Sequence, residues 1–201
     1  VTQDITEPNA IASNNGPLTC AKTTVTLTAL PATDMTYLWS NSATTQTTNI
    51  TTPGTYTVTV TGLNGCTATA TTIVTQDITE PNAIASNNGP LTCAKTTVTL
   101  TALPATDMTY LWSNSATTQT TNITTPGTYT VTVTGLNGCT ATASTIVTQD
   151  ITEPNAIASN NGPLTCAKTT VTLTALPATD MTYLWSNSAT TQTTNITTPG
   201  T

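Results

Sequence analysis

The amino-acid sequence predicts an all-β fold, a tandem array of small antiparallel β-sandwiches, because it contains a long repeat and a short one. The long repeat has a period of 73 residues, and Val1, Val74 and Val147 open its copies. The short repeat is an alternation of apolar residues with threonine, which has the period of a half-buried strand and not of a helix. The first two copies differ only at Thr71 and Ser144. Such near-identity is typical of arrays built from identical units.

The period also predicts the domain boundaries. We expect repeats at residues 1–73, 74–146 and 147–201, the last an incomplete copy in a window of a longer chain. A unit of this size has a marginal core, so a covalent staple is expected to support it. The segment 76–82 lacks alternation and contains Pro81, which predicts a short junction between consecutive repeats.

Each full copy contains four clear strand patterns and two weaker ones. The runs TTVTLTAL, MTYLWS, TYTVTVTG and CTATATT alternate, and shorter strands are expected around Ile11 and Ile50. Leu63-Asn64-Gly65 stands between two alternating runs and predicts a β-hairpin. Other turn signals separate the remaining strands, at Asn14-Asn15-Gly16-Pro17, Pro31 and Pro53-Gly54. Six or seven short strands with turns at this spacing predict a β-sandwich.

The composition argues against several classes of function. The net charge is −6, the pI is near 4.1 and arginine is absent, so we expect neither a nucleic-acid partner nor an anionic membrane surface. No stretch approaches the roughly 20 apolar residues of a membrane span, so membrane insertion is not expected. Without histidine or a CxxC pair, we expect no metal centre, no cofactor and no enzymatic activity.

Two aromatic positions in each full copy resemble those of the immunoglobulin-like sandwich. Trp39 stands on a predicted central strand, and Tyr56 opens a later strand in a GTY motif. The resemblance implies a tryptophan buried between two sheets and a tyrosine that ties back to the backbone. The equivalent core residues of the later copies are Trp112, Tyr129 and Trp185.

The runs CAKTTVTLTA, YLWSNSATTQTTNI and GTYTVTVTGLNGCTATA also resemble the repeats of giant surface adhesins of gliding and biofilm-forming bacteria. The resemblance covers essentially the whole copy and implies secretion, display on the bacterial cell surface and tandem arrays. We therefore expect a structural protein of an extracellular fibre or adhesin stalk, whose partners are other copies of itself. The alternative is a multivalent module that binds surface glycans or another partner weakly at each repeat.

The cysteines predict disulfides formed in an oxidising compartment, with two in each full copy and Cys166 as the fifth. Pairing within a repeat, Cys20–Cys66 and Cys93–Cys139, is favoured and would close a loop of about 46 residues. In immunoglobulin topology these positions lie at opposite ends of the sandwich, far beyond the roughly 6 Å between Cα atoms that a disulfide tolerates. A head-to-tail bond, Cys20–Cys139, removes this conflict and stays open as the alternative.

Surface residues raise two modification hypotheses. The threonines of the hairpin are expected to face one another on an exposed sheet face, as cross-strand pairs or as O-glycosylation sites. Asn49, Asn122 and Asn195 each open an N-x-[ST] sequon. The hairpin threonines are Thr57, Thr59, Thr61, Thr67, Thr69 and Thr71.

The junction carries two acidic residues in each copy. Asp77 and Glu80 repeat Asp4 and Glu7, and junction carboxylates can hold Ca²⁺ and stiffen a tandem array. Two carboxylates are few for such a site, so these residues are weak candidates. Solvated linker charge is the favoured interpretation.

Overall fold

The computed structural model of the chain describes residues 3–200. Every regular element in that range is a β-strand, which confirms the all-β prediction. The described residues include no helix long and apolar enough to cross a membrane. The chain divides into two compact units, residues 1–150 and residues 151–201, so the boundaries near 73 and 146 stay predictions.

The first unit contains sixteen strands, eight in each of two repeats. In the first repeat they are β1 (Ile11–Asn14), β2 (Leu18–Thr19), β3 (Val25–Leu30), β4 (Met35–Trp39), β5 (Thr47–Ile50), β6 (Gly54–Gly62), β7 (Thr67–Val74) and β8 (Gln76–Asp77). In the second repeat they are β9 (Ile84–Asn87), β10 (Leu91–Thr92), β11 (Val98–Leu103), β12 (Met108–Trp112), β13 (Thr120–Ile123), β14 (Gly127–Gly135), β15 (Thr140–Val147) and β16 (Gln149–Asp150).

Each repeat of this unit is an immunoglobulin-like sandwich of two antiparallel three-stranded sheets. In the first repeat one sheet has the order β1-β3-β5 and the other β4-β6-β7, and the second repeat reproduces both as β9-β11-β13 and β12-β14-β15. The predicted hairpin is formed by β6 and β7, whose register pairs Val58 with Ala70 and Val60 with Ala68. The fold therefore follows from the alternation, since every second residue of each strand points into the sandwich.

The core of the first repeat is formed by apolar residues that alternate along the strands of both sheets. Val25 and Leu27 come from one sheet and Val58 and Val60 from the other, and all four are fully buried. Trp39 is 2% exposed and donates its indole N–H to the carbonyl of Thr45 at 3.0 Å. Burying a side chain of this size is a large share of what stabilises a repeat of 73 residues. The equivalent cluster of the second repeat is centred on Trp112, which is also 2% exposed.

Tyr56 lies near the start of β6, where its hydroxyl donates to the carbonyl of Thr52 at 2.9 Å. This is the tie to the backbone that the resemblance implied. The ring packs against the core cluster but is half-buried, so Tyr56, expected as a core residue, is not fully enclosed there. The reason is its place at the end of the strand, beside the exposed loop that it holds. Tyr129 has the same geometry in the second repeat, with Thr125 as its acceptor.

The second unit contains one sheet, formed by β17 (Ile157–Asn160), β18 (Val171–Leu176) and β19 (Thr193–Ile196) in the order β17-β18-β19. Trp185 is half-buried here, unlike its buried counterparts in the first unit. In the first repeat the strand that carries Trp39 hydrogen-bonds to β6. In the described residues of the second unit, residues 181–185 are not assigned to a strand.

Candidate functional site: the junction between the first two repeats

The segment that links the first two repeats adds a strand to the first repeat. β8 pairs in parallel with β2, so that Leu18 lies beside Gln76 and Thr19 beside Asp77. The N–H of Leu18 donates to the carbonyl of Thr75 at 2.9 Å, and the Leu18 side chain is 2% exposed. The segment predicted as an irregular junction is therefore hydrogen-bonded to the preceding repeat from its first residues.

The same pairing recurs 73 residues later, within the first unit. β10 pairs in parallel with β16, and the N–H of Leu91 donates to the carbonyl of Thr148 at 3.0 Å. Leu91 is also 2% exposed. The recurrence shows that the strand addition is a property of the repeat and not of one position in the chain.

A disulfide joins the two repeats at this junction, between Cys20 and Cys139, whose Cα atoms are 5.0 Å apart. The favoured within-repeat pairings, Cys20–Cys66 and Cys93–Cys139, are therefore wrong. The pairing in the structure is the head-to-tail alternative. The physical reason is distance along the sandwich. β6 has nine residues, or about 30 Å, and runs from the end that carries Cys20 to the end that carries Cys66. Cys66, Cys93 and Cys166 are free thiols.

Asn137, at the tip of the β14–β15 hairpin, connects the bond to the junction strand. Its side-chain N–H₂ donates to the Asp77 carboxylate at 3.1 Å and to the Thr79 carbonyl at 2.9 Å. Its side-chain oxygen accepts the N–H of Cys139 at 3.0 Å. Its backbone carbonyl accepts the N–H of Ala21 from the first repeat at 3.2 Å. Asn137 thus forms hydrogen bonds with the hairpin tip, with the junction segment and with the neighbouring repeat.

Gly138 makes the closest approach across the junction. Its φ angle is +78°, and a Cβ built on it would collide with the Cβ and the backbone of Ala21. Glycine is needed here for two reasons, since the left-handed backbone strains other residues and the neighbouring repeat leaves no room for a side chain. The equivalent Gly65 of the first repeat has φ of +82° and no atom within 4 Å of its Cβ position.

The junction carboxylates act as hydrogen-bond acceptors. The Thr79 N–H bonded to Asp77 lowers the pKa of that carboxyl below its usual 3.8, and Asn137 lowers it further. Asp4 has a lowered pKa for the same primary reason, the N–H of Thr6. Among residues 3–200 no three His, Cys, Asp or Glu side chains cluster in a way that could hold a metal ion. Asp77, which with Glu80 was a weak calcium candidate, accepts hydrogen bonds from Thr79 and Asn137.

The predicted modification sites lie away from the junction. Thr57, Thr59 and Thr61 stand opposite Thr71, Thr69 and Thr67. The three β7 residues of these pairs are exposed, whereas the three β6 residues are half-buried, so the expected exposed face is exposed only in part. Asn49, Asn122 and Asn195 are exposed on their strands, and each accepts a hydrogen bond from a threonine hydroxyl, at 2.8, 2.8 and 2.9 Å. Glycosylation at these positions stays a prediction.

Sequence reasoning missed the two-residue strands and the role of Asn137. Strands of two residues have no detectable alternation, so nothing marks Leu18–Thr19 or Gln76–Asp77 as a pair. The Asn-Gly-Cys order at residues 137–139 was a usable signal. It places a turn-forming amide and a residue without a side chain directly beside a bonding thiol.

No family model matches the chain, and no curated protein matches it. Among solved structures it is similar to that of a 1.5-MDa bacterial ice-binding adhesin, with 12% identity over 86% of this chain and 76% of that one, and a TM-score of 0.47. It is also similar to the eight N-terminal immunoglobulin domains of Down syndrome cell adhesion molecule (13% identity, 87% and 34% coverage, TM-score 0.28). A third is SGBP-B of the Bacteroides ovatus mixed-linkage glucan utilization locus, in complex with a heptasaccharide (14% identity, 87% and 62% coverage, TM-score 0.22). At these identities and TM-scores, no property of these proteins is carried over to this chain.

Proposed function

We propose that the chain is a structural segment of an extracellular fibre or adhesin stalk on a bacterial surface, and that its task is to carry tension. The observation that supports this most directly is the Cys20–Cys139 bond, which joins two repeats instead of closing one. A disulfide also fits an oxidising compartment outside the cell. The role is mechanical and needs no catalytic residue.

The bond changes the covalent path that a pulling force follows. Force that enters before Cys20 passes through the disulfide to Cys139 and leaves along β15, so the residues between the two cysteines are bypassed. The bypassed segment contains most of the first repeat and nearly all of the second. While the disulfide is intact, tension does not act along these residues, and their unfolding would not lengthen the chain. Only cleavage of the disulfide would let tension extend them.

The length that the bond removes is large. The two cysteines are 119 positions apart, which is about 400 Å of extended chain at roughly 3.5 Å per residue. The whole chain of 201 residues would reach about 700 Å, so the oxidised chain can extend to only about 300 Å. The stapled junction therefore limits extension by more than half.

Single-molecule stretching of the full chain tests the proposal. Under oxidising conditions the final contour length is expected near 300 Å, and after reduction it should increase by about 400 Å. A chain carrying Cys20→Ser and Cys139→Ser should show the longer length in both conditions, whereas one carrying Cys66→Ser and Cys93→Ser should behave as the parent. Equal contour lengths with and without reductant would refute the mechanical role assigned to the bond.

The alternative of multivalent glycan binding lacks the aromatic surface that sugar recognition favours. Tyr37 is 9% exposed and Trp39 is 2% exposed in the first repeat, and Tyr56 is half-buried with its hydroxyl bonded to Thr52. Since stacking on an exposed ring is unavailable at these positions, the described residues of this repeat favour the structural role.

A further inference from the structure

The junction disulfide passes over two nearer cysteines. Cys20 bonds to Cys139, which is 119 positions away, although Cys66 and Cys93 come first along the chain. In an unfolded chain the chance that two residues meet falls with roughly the 3/2 power of their separation. Cys66 is about 46 positions from Cys20, so an unfolded chain favours it over Cys139 by about fourfold. Proximity along the chain therefore does not explain the bond.

The folded first repeat excludes the pairing that proximity favours. Leu18, two residues before Cys20, is hydrogen-bonded to Thr75, beside the start of β6. Cys66 is hydrogen-bonded to Gly62, the last residue of β6, which spans about 30 Å. A disulfide needs Cα atoms within roughly 6 Å of each other. A Cys20–Cys66 bond can therefore form only while the first repeat is unfolded, and it keeps that repeat from completing its sandwich.

The contacts between the repeats hold both cysteines of the observed bond from either side. Thr19, which precedes Cys20, belongs to β2 and is paired with β8. The N–H of Ala21, which follows Cys20, donates to the carbonyl of Asn137 at 3.2 Å. The side-chain oxygen of Asn137 accepts the N–H of Cys139 at 3.0 Å. Groups held in place react at a high effective concentration, so docking of the two repeats selects Cys139.

We propose that the junction disulfide is completed by docking of the two repeats, and that a Cys20–Cys66 bond made earlier is converted to it by thiol–disulfide exchange. The thiol of Cys139 makes this conversion, which gives it the role of a resolving thiol. The class of reaction that supplies the bonded junction is therefore oxidation of docked repeats or exchange onto Cys139, and not random oxidation of an unfolded chain. The inference concerns how the bond is made, which lies beyond the tension that it carries.

The oxidation of docked repeats balances with a small-molecule disulfide such as oxidised glutathione. One thiolate of the docked pair attacks a sulfur of that disulfide, and one glutathione leaves. The second protein thiolate then attacks the mixed disulfide and displaces the remaining glutathione. Two protein thiols are oxidised to one disulfide, and one glutathione disulfide is reduced to two thiols.

The exchange needs no oxidant, because one disulfide replaces another. The Cys139 thiolate attacks the Cys20 sulfur, the bond from Cys20 to Cys66 breaks, and Cys66 leaves as a thiolate. Exchange is reversible, so the free energy of folding sets its direction. Only the Cys20–Cys139 product lets the first repeat fold and dock, and folding therefore drives the conversion forward.

A three-cysteine variant of the full chain tests the choice of partner directly. Cys93→Ser with Cys166→Ser leaves Cys20, Cys66 and Cys139. The chain has lysine only at positions 22, 95 and 168 and no arginine, so trypsin places the three thiols on separate peptides, 1–22, 23–95 and 96–168. The masses of the linked peptides therefore identify each bond.

The variant is oxidised with glutathione disulfide, once folded in native buffer and once unfolded in denaturant. The folded chain should link peptide 1–22 to peptide 96–168 alone. The unfolded chain should link peptide 1–22 to peptide 23–95 about fourfold more often than to peptide 96–168. The same distribution with and without denaturant would overturn the selection by docking.

The form with the Cys20–Cys66 bond, purified from denaturant, tests the exchange. It is moved into native buffer at about pH 8, where a free cysteine is partly thiolate, without added thiol. Its linkage should move from peptide 23–95 to peptide 96–168, and alkylation of Cys139 with iodoacetamide before the transfer should prevent this. A linkage that stays in place in the untreated form, or moves equally in the alkylated one, would refute the exchange.

Two substitutions weaken the docking without changing a thiol. Gly138→Val adds a side chain where Ala21 leaves no room, and Asn137→Asp places a second carboxylate against Asp77. Each should slow the conversion in native buffer at least about fivefold. Leu136→Ala, at an exposed neighbour, should leave the rate unchanged. Parent rates in both docking variants, or equal slowing by Leu136→Ala, would contradict the role of docking. Either result leaves the contour-length experiment unaffected, so the two proposals fail separately.

Discussion

Removing the junction disulfide should lower the stability of the first two repeats by an amount set by the loop that it closes. The perturbation is Cys20→Ser with Cys139→Ser, which leaves no unpaired sulfur at the junction. For a separation of 119 residues the chain-entropy relation gives about 5 kcal/mol at 25 °C. This is comparable with the whole stability of a small domain, which is about 5–15 kcal/mol.

The assay is urea unfolding of the full chain, followed by tryptophan fluorescence because Trp39 and Trp112 are both buried. The matched control is Cys66→Ser with Cys93→Ser, which removes two thiols and no bond. The expected result is a lower midpoint in the first variant and an unchanged midpoint in the control. If both variants unfolded at the parent's midpoint with the parent's slope, the bond would contribute nothing and the reasoning would be refuted.

Three further predictions address the groups around the bond. Gly138→Ala should cost more than Gly65→Ala by about 1–3 kcal/mol in thermal unfolding, because both pay for the left-handed backbone but only Gly138 meets a neighbouring repeat. Asn137→Ala should lower the free energy of unfolding by about 1–2 kcal/mol because its hydrogen bonds are lost. Leu136→Ala, at an exposed neighbour, should change the thermal midpoint little, and equal effects of the two variants would contradict the role of the amide. The lowered pKa of Asp77 means that its contribution is present above pH 3.8 and is lost as pH falls through the lower folded-state value, so Asp77→Asn should flatten the acid side of a melting-temperature profile. An unchanged profile would show that this carboxylate does not couple to folding.

The strands and the core could be predicted because they depend on local alternation. Val58 and Val60 alternate with threonine, and a strand with that pattern buries one face wherever it lies. The tie of Tyr56 to the backbone followed from resemblance to a known sandwich, and the structure identifies the carbonyl of Thr52 as the acceptor. These features belong to a single repeat, so one copy of the sequence contains the information that specifies them.

The cysteine pattern alone could not decide the disulfide, because identical copies hide which cysteine is the partner, and the expected distance along the sandwich only kept the head-to-tail alternative open. Cys66 and Cys139 have the same neighbours in the sequence, so no local pattern distinguishes a bond within a repeat from one between repeats. The choice is made by geometry. The length of β6 keeps Cys20 and Cys66 apart, and the parallel pairing of β2 with β8 brings the next hairpin to Cys20.

The spacing of the cysteines sets a strain limit for an array in which every junction is bonded as the first one is. In such an array a pulling force would cross the first disulfide to Cys139. It would then follow the backbone from Cys139 to Cys166 and cross the next disulfide to another repeat. That stretch is roughly 27 residues, or about 95 Å when extended. Each crossing advances the path by two repeats, which span about 70–80 Å if one repeat rises by the length of its strands and loops. The slack is then only about a quarter of the native length, so such an array would stretch little before the load reached covalent bonds. A bond within each repeat would protect its own domain but leave every junction to hydrogen bonds, which makes the head-to-tail arrangement the better design for a fibre under tension.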